Sequence, residues 1–392
     1  MELSRRAVLS SVVVGLALRA TAAETAKGDD VRKVVVFDPK ALGYVNCRIP
    51  GLVVTAKGTL LAYCEARRNK GGDWDPIDVV LRRSTDGGAT WGDVQKVAGG
   101  GDAKTYNNPV AIVDKDPAVP GGAPAVHFLY CTDYARCYYA RSDDDGATFS
   151  KPVEITPAFE TFKKDYNWNV IATGPTHGIQ LRSGRLLVPV WLSTGGKSHH
   201  PSVVATVYSD DRGATWKAGA IAIPDTKECP NPNETVAVEL ADGRVMLNAR
   251  NESAKQRRVV VSSPDGASNW SAPTYDEALV EPICNGSIVG VPVTKDGGKP
   301  AILFANPDNG DLATARGAAK PGLGRWLARM NVTVRVSTDD GKTWSAKRAI
   351  DPGPSGYSDL AVDAAGRAHC LFERNGGLTL ASFDVAWVVA RQ

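Results

Sequence analysis

One eight-residue pattern, Ser-x-Asp-x-Gly-x-Thr followed by an aromatic residue, occurs five times along the chain; we refer to it as the Ser-x-Asp turn. The copies are residues 84–91, 142–149, 209–216, 263–270 and 337–344. Only the fourth departs from the pattern, with Ala267 where glycine is expected. Each copy lies between two apolar runs, which is typical of a hairpin loop in which Asp caps backbone N–H groups and glycine adopts a positive φ. The copies begin 58, 67, 54 and 74 residues apart, which is too far for a solenoid and typical of four-stranded propeller blades.

A second kind of hairpin, with a small polar turn containing glycine, alternates with the first. Examples are residues 52–61, 178–190, 236–247 and 360–371. One hairpin of each kind supplies four strands, which is one blade. The pattern predicts blades near residues 44–97, 105–155, 173–223, 232–273 and 280–349, and a sixth near 355–390 that lacks the Ser-x-Asp turn.

The run Lys33–Phe37 is a spare strand that could complete the sixth blade and so join the two ends of the chain. Residues 306–328, rich in Gly, Ala and Pro, are predicted to form a long loop between strands. We therefore predict an all-β fold: a six-bladed β-propeller of four-stranded antiparallel blades. It would occupy residues 24–392 as a single domain.

The first 23 residues have the character of an export signal. The pair Arg5-Arg6 is followed by an apolar stretch that ends at Leu18 and by the small residues 20–23. The stretch is only about a dozen residues long, whereas a membrane-spanning helix needs about 20. We predict that residues 1–23 are a signal peptide, of the twin-arginine type, and that the protein is exported to the periplasm or secreted.

Charge and cysteine usage argue against several classes of function. The net charge is +3 and no basic run is present, which disfavours a nucleic-acid partner. Seven cysteines lack the CxxC spacing and five histidines form no metal-ligand pattern, so no metal, cofactor or disulfide framework is predicted. The nearest cysteine pair that could form a disulfide in an exported protein is Cys131 with Cys137.

Three arginines lie at strand ends of three different predicted blades: Arg48, Arg250 and Arg329. The inner strands of a propeller converge on its axis, so these side chains could meet on one carboxylate through charge-assisted, bidentate contacts. A single arginine of this kind is more often the partner of a surface carboxylate.

Taken together, several motifs resemble the bacterial exo-α-sialidase (neuraminidase) family with Asp-box (BNR) repeats, from about residue 44 to residue 375. They are Arg48-Ile49-Pro50, the Ser-x-Asp turns, Asn231-Pro232-Asn233-Glu234 with Arg250 sixteen residues later, Arg329 and Gly356-Tyr357-Ser358. The resemblance implies an exo-α-sialidase that removes terminal sialic acid from glycoconjugates with retention of configuration. It makes Tyr357 the nucleophile, Glu234 its general base, and the arginine triad the site for the substrate carboxylate.

The implied chemistry has a physical reason. Sialic acid carries a carboxylate on its anomeric carbon, and this charge would repel an anionic Asp or Glu nucleophile. A neutral tyrosine avoids the repulsion, but its pKa near 10 requires a neighbouring carboxylate to take the proton. Tyrosine nucleophiles in sialidases are a known exception to the two-carboxylate rule of glycosidases.

The acid/base residue is expected on the loop of residues 69–78. The family's usual register, about eleven residues before the Ser of the first turn, selects Asp73, while Asp75 and Asp78 remain alternatives. An ordinary solvated acidic loop is the competing interpretation of all three. Arg67 resembles the additional arginine that the family places near the sugar's 4-hydroxyl.

Supporting positions are less specific. Asn107 and Asn108 could face the pocket from the second blade, and Trp74 or Trp168 could cover the glycerol or acyl side chain, with plain packing as the alternative for each. His177 lies near a strand entry, where a histidine whose ring bonds the backbone is expected.

Two rival functions stay open at this stage. A glycosidase of the same fold could act on a related 2-keto acid sugar, because the triad reads only the carboxylate. A non-catalytic glycan-binding propeller would need the turns but not Glu234 paired with Tyr357. Transfer to an acceptor sugar in place of water is a further variant, and the sequence gives no indication of oligomeric state.

Overall fold

Short apolar runs separated by tight turns form almost all of the regular structure. The computed structural model describes residues 31–100, 104–114, 124–196, 199–291, 300–310 and 328–390. Within these residues the strands pair into six antiparallel sheets, each with four main strands. The predicted all-β, six-bladed propeller is confirmed.

The first three blades follow one another along the chain. Blade 1 contains β2 (Asn46–Val54), β3 (Leu60–Arg67), β4 (Ile77–Ser84) and β5 (Gln95–Ala98). Blade 2 contains β6 (Tyr106–Asp114), β7 (Ala125–Thr132), β8 (Arg136–Ser142) and β9 (Val153–Glu154), and the short β11 (Thr176–His177) pairs in parallel with β6. Blade 3 contains β10 (Val170–Thr173), β12 (Ile179–Gln180), β13 (Leu186–Ser193), β14 (Ser202–Ser209) and β15 (Lys217–Ile223).

The remaining blades complete the ring. Blade 4 contains β16 (Thr235–Glu239), β17 (Val245–Ala249), β18 (Arg257–Ser263) and β19 (Thr274–Val280). Blade 5 contains β20 (Ser287–Val291), β21 (Ala301–Pro307), β22 (Met330–Ser337) and β23 (Ala346–Pro354). Blade 6 contains β24 (Ser358–Val362), β25 (Arg367–Arg374), β26 (Gly377–Asp384) and β1 (Arg32–Phe37).

The helices that lie wholly within the described residues are short segments between or after strands. These are α1 (Pro39–Leu42), α2 (Thr156–Glu160) with a 3₁₀ turn at Thr161–Lys164, and α3 (Val385–Val389). None of the helices in the described ranges is long and apolar enough to cross a membrane.

The spare N-terminal strand closes the ring as predicted. β1 pairs antiparallel with β26, with Arg32 opposite Ser382 and Val34 opposite Leu380. Val36 and Phe37 at the end of β1 are fully buried in the cluster between blades 6 and 1. Closure therefore ties the first described strand to the last and covers an otherwise open sheet edge.

The hydrophobic core is divided among the blade interfaces. Six main apolar clusters each combine residues from two neighbouring blades, as Leu61 and Phe128 do between blades 1 and 2. Each blade thus buries both of its faces against neighbours. This arrangement lets a chain longer than one ordinary core can support form a single ring.

The Ser-x-Asp turns join the third and fourth strands of blades 1 to 5. In the intact copies the Ser Oγ accepts the glycine N–H at 2.8–2.9 Å, and the Thr Oγ1 donates to the Asp carboxylate at 2.5–2.6 Å. The degenerate fourth copy keeps its Asp265 cap on backbone N–H groups but has no Thr hydroxyl, because Asn269 replaces it.

Strand direction separates the two faces of the ring. All five Ser-x-Asp turns lie on the face at which the first strand of each blade ends, which we name the turn face. The first strands begin on the other face, named the start face, where the hairpins between second and third strands also lie. Side chains at the beginning of the first strand of each blade therefore lie on the start face, and they can converge there.

Two predicted boundaries need correction or lie outside the described residues. The fourth blade was predicted to end near residue 273, but its outer strand β19 runs from Thr274 to Val280. Of its seven residues only Leu279 is buried, so the strand lacks the apolar run by which strands were recognised. Of the predicted loop 306–328, residues 306–307 belong to β21, and 311–327 are outside the described ranges, as is the predicted signal peptide 1–23.

All seven cysteines are free thiols in buried positions. Cys131 and Cys137 lie directly opposite each other on β7 and β8, without a disulfide between them. Among the described residues no group of three or more His, Cys, Asp or Glu side chains could hold a metal ion.

Candidate active site

A tyrosine and a glutamate from different blades form the centre of the start face. The Tyr357 hydroxyl, just before β24, lies 2.5 and 2.6 Å from the two carboxylate oxygens of Glu234, just before β16. Arg250, at the end of β17, donates from Nη1 to the Tyr357 hydroxyl at 2.7 Å and also to Glu234. The three side chains are nearly buried. This arrangement offers the phenol proton a carboxylate acceptor and holds a cation beside the oxygen.

Two further arginines flank the same tyrosine. The guanidinium carbons of Arg48 and Arg329 each lie 5.4 Å from the centre of the Tyr357 ring. Arg329 is anchored by a hydrogen bond from Nη2 to the Ile283 carbonyl. Three arginines from blades 1, 4 and 5 therefore surround one phenol, as their positions at strand ends predict.

Electrostatics keep this phenol neutral in the free protein. Burial raises the pKa of Tyr357 well above its ordinary value; Glu234 adds to the rise, while Arg250, Arg329 and Arg48 oppose it. A tyrosine with such a high pKa can react as a nucleophile only if its proton leaves as the bond forms. The hydrogen bonds to Glu234 supply the path for that proton.

Glu373 lies beneath the site and positions two of its residues, and the sequence did not predict this role. Its carboxylate accepts from Arg48 Nε at 3.1 Å, from the Ile49 N–H at 3.1 Å and from the Tyr357 N–H at 3.2 Å. One carboxylate thus sets the positions of both Arg48 and the Tyr357 backbone. The sequence feature that could have identified Glu373 is its position: it is an acidic residue two positions after the predicted hairpin 360–371, on the start face.

The predicted acid/base residue lies beside the arginines. Asp73 Oδ1 accepts from Arg67 Nη1 at 2.6 Å and lies 3.9 Å from Arg48 Nη1, and its side chain is 44% exposed. Burial works to raise the pKa of Asp73, but the charges of Arg67 and Arg48 outweigh it and hold that pKa below its ordinary value. Asp73 is therefore ionised in the free protein at neutral pH.

The two alternative acids have structural partners instead. Asp75 accepts from the Gly72 N–H at 2.8 Å and so closes the loop on itself. Asp78 is almost fully buried and bonds to Tyr44, Arg68 and Lys96. Of the three loop carboxylates, only Asp73 contacts an arginine of the triad.

Similarity to known proteins agrees with this geometry. A family model for the BNR repeat-like domain matches residues 58–370, which is most of the chain. The chain belongs to the BNR repeat-like family. A sialidase of Micromonospora viridifaciens is 31% identical to this BNR repeat-like protein over 377 residues, covering 88% of this chain and 52% of that protein. A sialidase of Bacteroides fragilis is 30% identical over 342 residues, covering 80% and 57%.

A solved structure extends the comparison. The Hadza microbial sialidase Hz136 matches with a TM-score of 0.74 and 26% identity over 91% of this chain and 69% of that one. The resemblance to sialidases with Asp-box repeats, predicted from the motifs, is confirmed. This BNR repeat-like protein spans about half the length of its two bacterial relatives.

An aromatic cluster forms the side of the site nearest Asp73. The Trp74 ring lies 4.5 Å from Tyr134 and stacks on His199 at 5.7 Å, and Trp191 packs edge-on against His199 at 5.2 Å. Its members come from blades 1, 2 and 3. Trp74 was among the residues predicted to face the site, whereas Tyr134 in blade 2 and Trp191 and His199 in the β13–β14 hairpin of blade 3 were missed because they share no motif.

The remaining predicted positions have structural roles in this BNR repeat-like protein. Trp168 is buried in the core between blades 2 and 3 and donates to the Phe159 carbonyl at 2.9 Å. His177 bonds through Nδ1 to the Asp359 carboxylate at 2.8 Å, where a backbone partner was expected. It also lines a cavity of about 520 Å³ among the inner strands, which does not include Tyr357.

The two predicted asparagines are buried beneath the site. Asn107 donates through its side-chain amide to Asn108 Oδ1 at 2.9 Å, and the Asn108 N–H donates to Glu65 at 2.9 Å. Asn108 adopts a φ of 51°, and Ile49 at the matching place in blade 1 has a φ of 58°. A β-branched residue in this region is strained, and such strain concentrates at functional sites.

Proposed function

We propose that this protein is an exo-α-sialidase that hydrolyses terminal sialic acid from glycoconjugates with retention of configuration. One observation carries the proposal. The Tyr357 hydroxyl lies within hydrogen-bond distance of both carboxylate oxygens of Glu234, and three arginines surround the same side chain. A substrate with a carboxylate at its reacting carbon explains why so many cations surround a neutral nucleophile. The sialidase names of the relatives support the same substrate class.

Substrate recognition in this proposal depends on charge. Arg48, Arg250 and Arg329 approach Tyr357 from three blades, so a carboxylate bound among them places its anomeric carbon near the phenol oxygen. Arginine suits this task because its planar fork matches a carboxylate in a bidentate manner. The Glu373 carboxylate holds Arg48 in place before substrate arrives, which lowers the cost of ordering the site.

The nucleophilic step uses the Tyr357–Glu234 pair. The phenol oxygen attacks the anomeric carbon while its proton moves to Glu234, and the leaving sugar departs from that carbon. Arg250 lies beside the tyrosine oxygen at 2.7 Å, where it stabilises the negative charge that develops during proton loss. Water then releases sialic acid from the covalent intermediate.

Asp73 supplies the proton to the leaving group and later activates water. In the free protein its pKa is held low by Arg67 and Arg48. A bound substrate carboxylate adds a negative charge next to Arg48, which weakens that cation's effect and raises the pKa of Asp73. Substrate binding therefore prepares Asp73 for its acid role.

We also propose that the protein is exported, as residues 1–23 suggest, and that it meets sialylated glycans in the periplasm or outside the cell. Replacing Arg5-Arg6 with Lys-Lys tests the route, because twin-arginine export depends on that pair. Sialidase activity should then remain with the cells instead of appearing in the periplasmic or secreted fraction. Unchanged fractionation would argue for another export route or none.

The direct test is hydrolysis of a fluorogenic α-sialoside by purified protein, comparing wild type with Tyr357→Phe. We expect Tyr357→Phe to lower kcat/KM by at least about 10³-fold, since the nucleophile is lost and the ring is kept. Tyr208→Phe is the matched control, because Tyr208 packs under Arg185 in blade 3, away from the site. Full activity in Tyr357→Phe would overturn the assignment.

The identity of the sugar is tested with the same protein. Release rates from N-acetylated and deaminated glycosides distinguish a sialidase from an enzyme for a related 2-keto acid sugar. No release from either would leave glycan binding without catalysis as the function of the propeller.

A further inference from the structure

A fully buried glutamate lies behind the acid/base loop. Glu65, near the end of β3, accepts from Arg67 Nε at 2.9 Å and Nη2 at 2.6 Å, and its other oxygen accepts from the Asn108 N–H at 2.9 Å. Burial works to raise the pKa of Glu65, and the Arg67 charge opposes it. A buried carboxylate with three donors is a fixed anchor for its arginine.

The anchor determines what Arg67 can reach. With Nε and Nη2 bonded to Glu65, Nη1 donates to the Gly71 carbonyl at 3.1 Å and to Asp73 at 2.6 Å. Arg67 is itself almost fully buried. Glu65 holds its guanidinium through Nε and Nη2, and Gly71 and Asp73 hold it through Nη1. Most of its donors are used by the protein, whereas the resemblance assigned Arg67 to the sugar's 4-hydroxyl.

Several charged or titratable groups face Asp73 from the surrounding elements. Arg67 and Arg48 are the main cations, and the nearby acids are Glu65 and the Tyr134 phenol. His199 adds a smaller positive charge only when it is protonated, and burial lowers the pKa of its ring. Of these groups, only Glu65 accepts from two different nitrogens of Arg67, Nε and Nη2, both on its Oε2. Its negative charge therefore offsets part of the cation that lies 2.6 Å from Asp73.

We propose that Glu65 is a positioning residue which, through Arg67, sets both the place and the proton affinity of the catalytic carboxylate Asp73. This rests on the proposed sialidase function and on Asp73 as its general acid. The loop that carries Asp73 contains Gly71 and Gly72, and the Arg67 bonds to Gly71 and Asp73 restrain it. Glu65 thereby acts on catalysis without touching the substrate.

Removal of the Glu65 charge should shift the pH dependence of activity in a defined direction. Removing the negative charge in Glu65→Gln leaves Arg67 uncompensated, so Asp73 loses its proton at lower pH. A general acid works below its pKa in the enzyme–substrate complex, which the pH profile of kcat reports, and hence the alkaline limb of kcat should move to lower pH by about one unit. Above that limb the rate falls about tenfold relative to wild type. Arg67→Gln removes the cation and should move the limb the opposite way.

The experiment measures kcat at saturating substrate against pH for two α-sialosides, one with a sugar leaving group and one with a fluorogenic phenol. The shift should appear with the sugar aglycone and shrink with the phenol, which needs little protonation. Glu65→Asp keeps the charge and should keep the limb. Glu281→Gln is the matched control, since Glu281 is equally buried and bonds Arg258 in blade 4, and its charge acts on Arg250 instead of Arg67.

The outcomes separate the proposals. An inactive wild type contradicts the sialidase function itself. An active wild type with an unmoved limb in Glu65→Gln, or the same limb shift in Glu281→Gln, would overturn the role of Glu65. Melting temperatures of both glutamine variants identify losses that come only from unfolding, and a limb shift in the folded fraction supports the proposal.

Discussion

The turn face and the start face of the propeller are held by different kinds of contact. On the turn face, the Ser, Asp, Gly and Thr of the four intact turns bond to one another within four residues, and the Thr N–H lies 2.8–3.0 Å from the Asp carboxylate in each of them. On the start face, Glu234 and Tyr357 are 123 residues apart and Arg48 and Glu373 are 325 apart. The turns are local devices for stability, whereas the site exists only when the ring is closed.

Removing the closing strand β1 should have the largest effect on this contrast between the two faces. A chain that starts at Asp38 lacks β1, loses the burial of Val36 and Phe37 and exposes the edge of β26. The lost side-chain burial alone costs about 4 kcal/mol, which is a large share of a typical folding free energy. We expect thermal unfolding to shift down by at least about 5 °C and activity to fall with it, relative to a chain that starts at Val31. An unchanged melting temperature would show that the ring does not need β1.

Glu234→Gln affects only the start face. We expect hydrolysis of an α-sialoside to fall by about 10²–10⁴-fold, because the amide cannot take the Tyr357 proton. The side chain keeps its size and can still accept from Arg250, so the melting temperature should stay close to that of wild type. A steady-state assay beside a thermal melt separates the two effects, and a loss of stability without loss of kcat would contradict the assigned role.

Asp144→Ala affects only the turn face. Asp144 accepts from the Thr148 N–H at 2.8 Å and from its hydroxyl at 2.6 Å, and these bonds are lost in the variant. We expect the melting temperature to fall by about 1–4 °C with kcat unchanged. Asp143→Ala, which removes an exposed neighbour that forms an ion pair with Arg141, is the matched control and should move the melting temperature less. A large fall in kcat would show that the two faces are coupled.

The smallest expected effect is a pH dependence of the stability that the same turn contributes. Hydrogen bonds from Thr148 and Ser142 lower the pKa of Asp144 to about 2, below its ordinary value of about 3.9. Because the folded pKa is the lower one, the contribution to stability is present above pH 4 and is lost as the pH falls toward 2. Thr148→Val removes the hydroxyl donor, so the gap in unfolding free energy between wild type and variant should close over that range. A gap that stays constant down to pH 2 would contradict this.

Sequence alone could predict the parts that depend on local pattern. The turns, the blade count and the closing strand follow from short apolar runs and turn residues that neighbour one another. The outer strand β19 escaped because only one of its seven residues is buried. Glu373 and the aromatic cluster escaped because the ring brings their partners together from different blades. Glu65 and Arg67 are two residues apart on β3, but the Asn108 N–H that also bonds Glu65 comes from blade 2. Asp73 was selected by the family register, and its contact with Arg67 could not be read from the chain.

The most direct test of the central claim is to identify the residue that forms the covalent intermediate. Incubation with a 2,3-difluoro sialic acid, whose fluorine at C3 slows release of the sugar, should add one sugar mass to the intact protein. Peptide mapping should place that mass on Tyr357, and the Tyr357→Phe variant should remain unlabelled. A label on Glu234 or Asp73, or turnover of a sialoside with no label at Tyr357, would contradict the account.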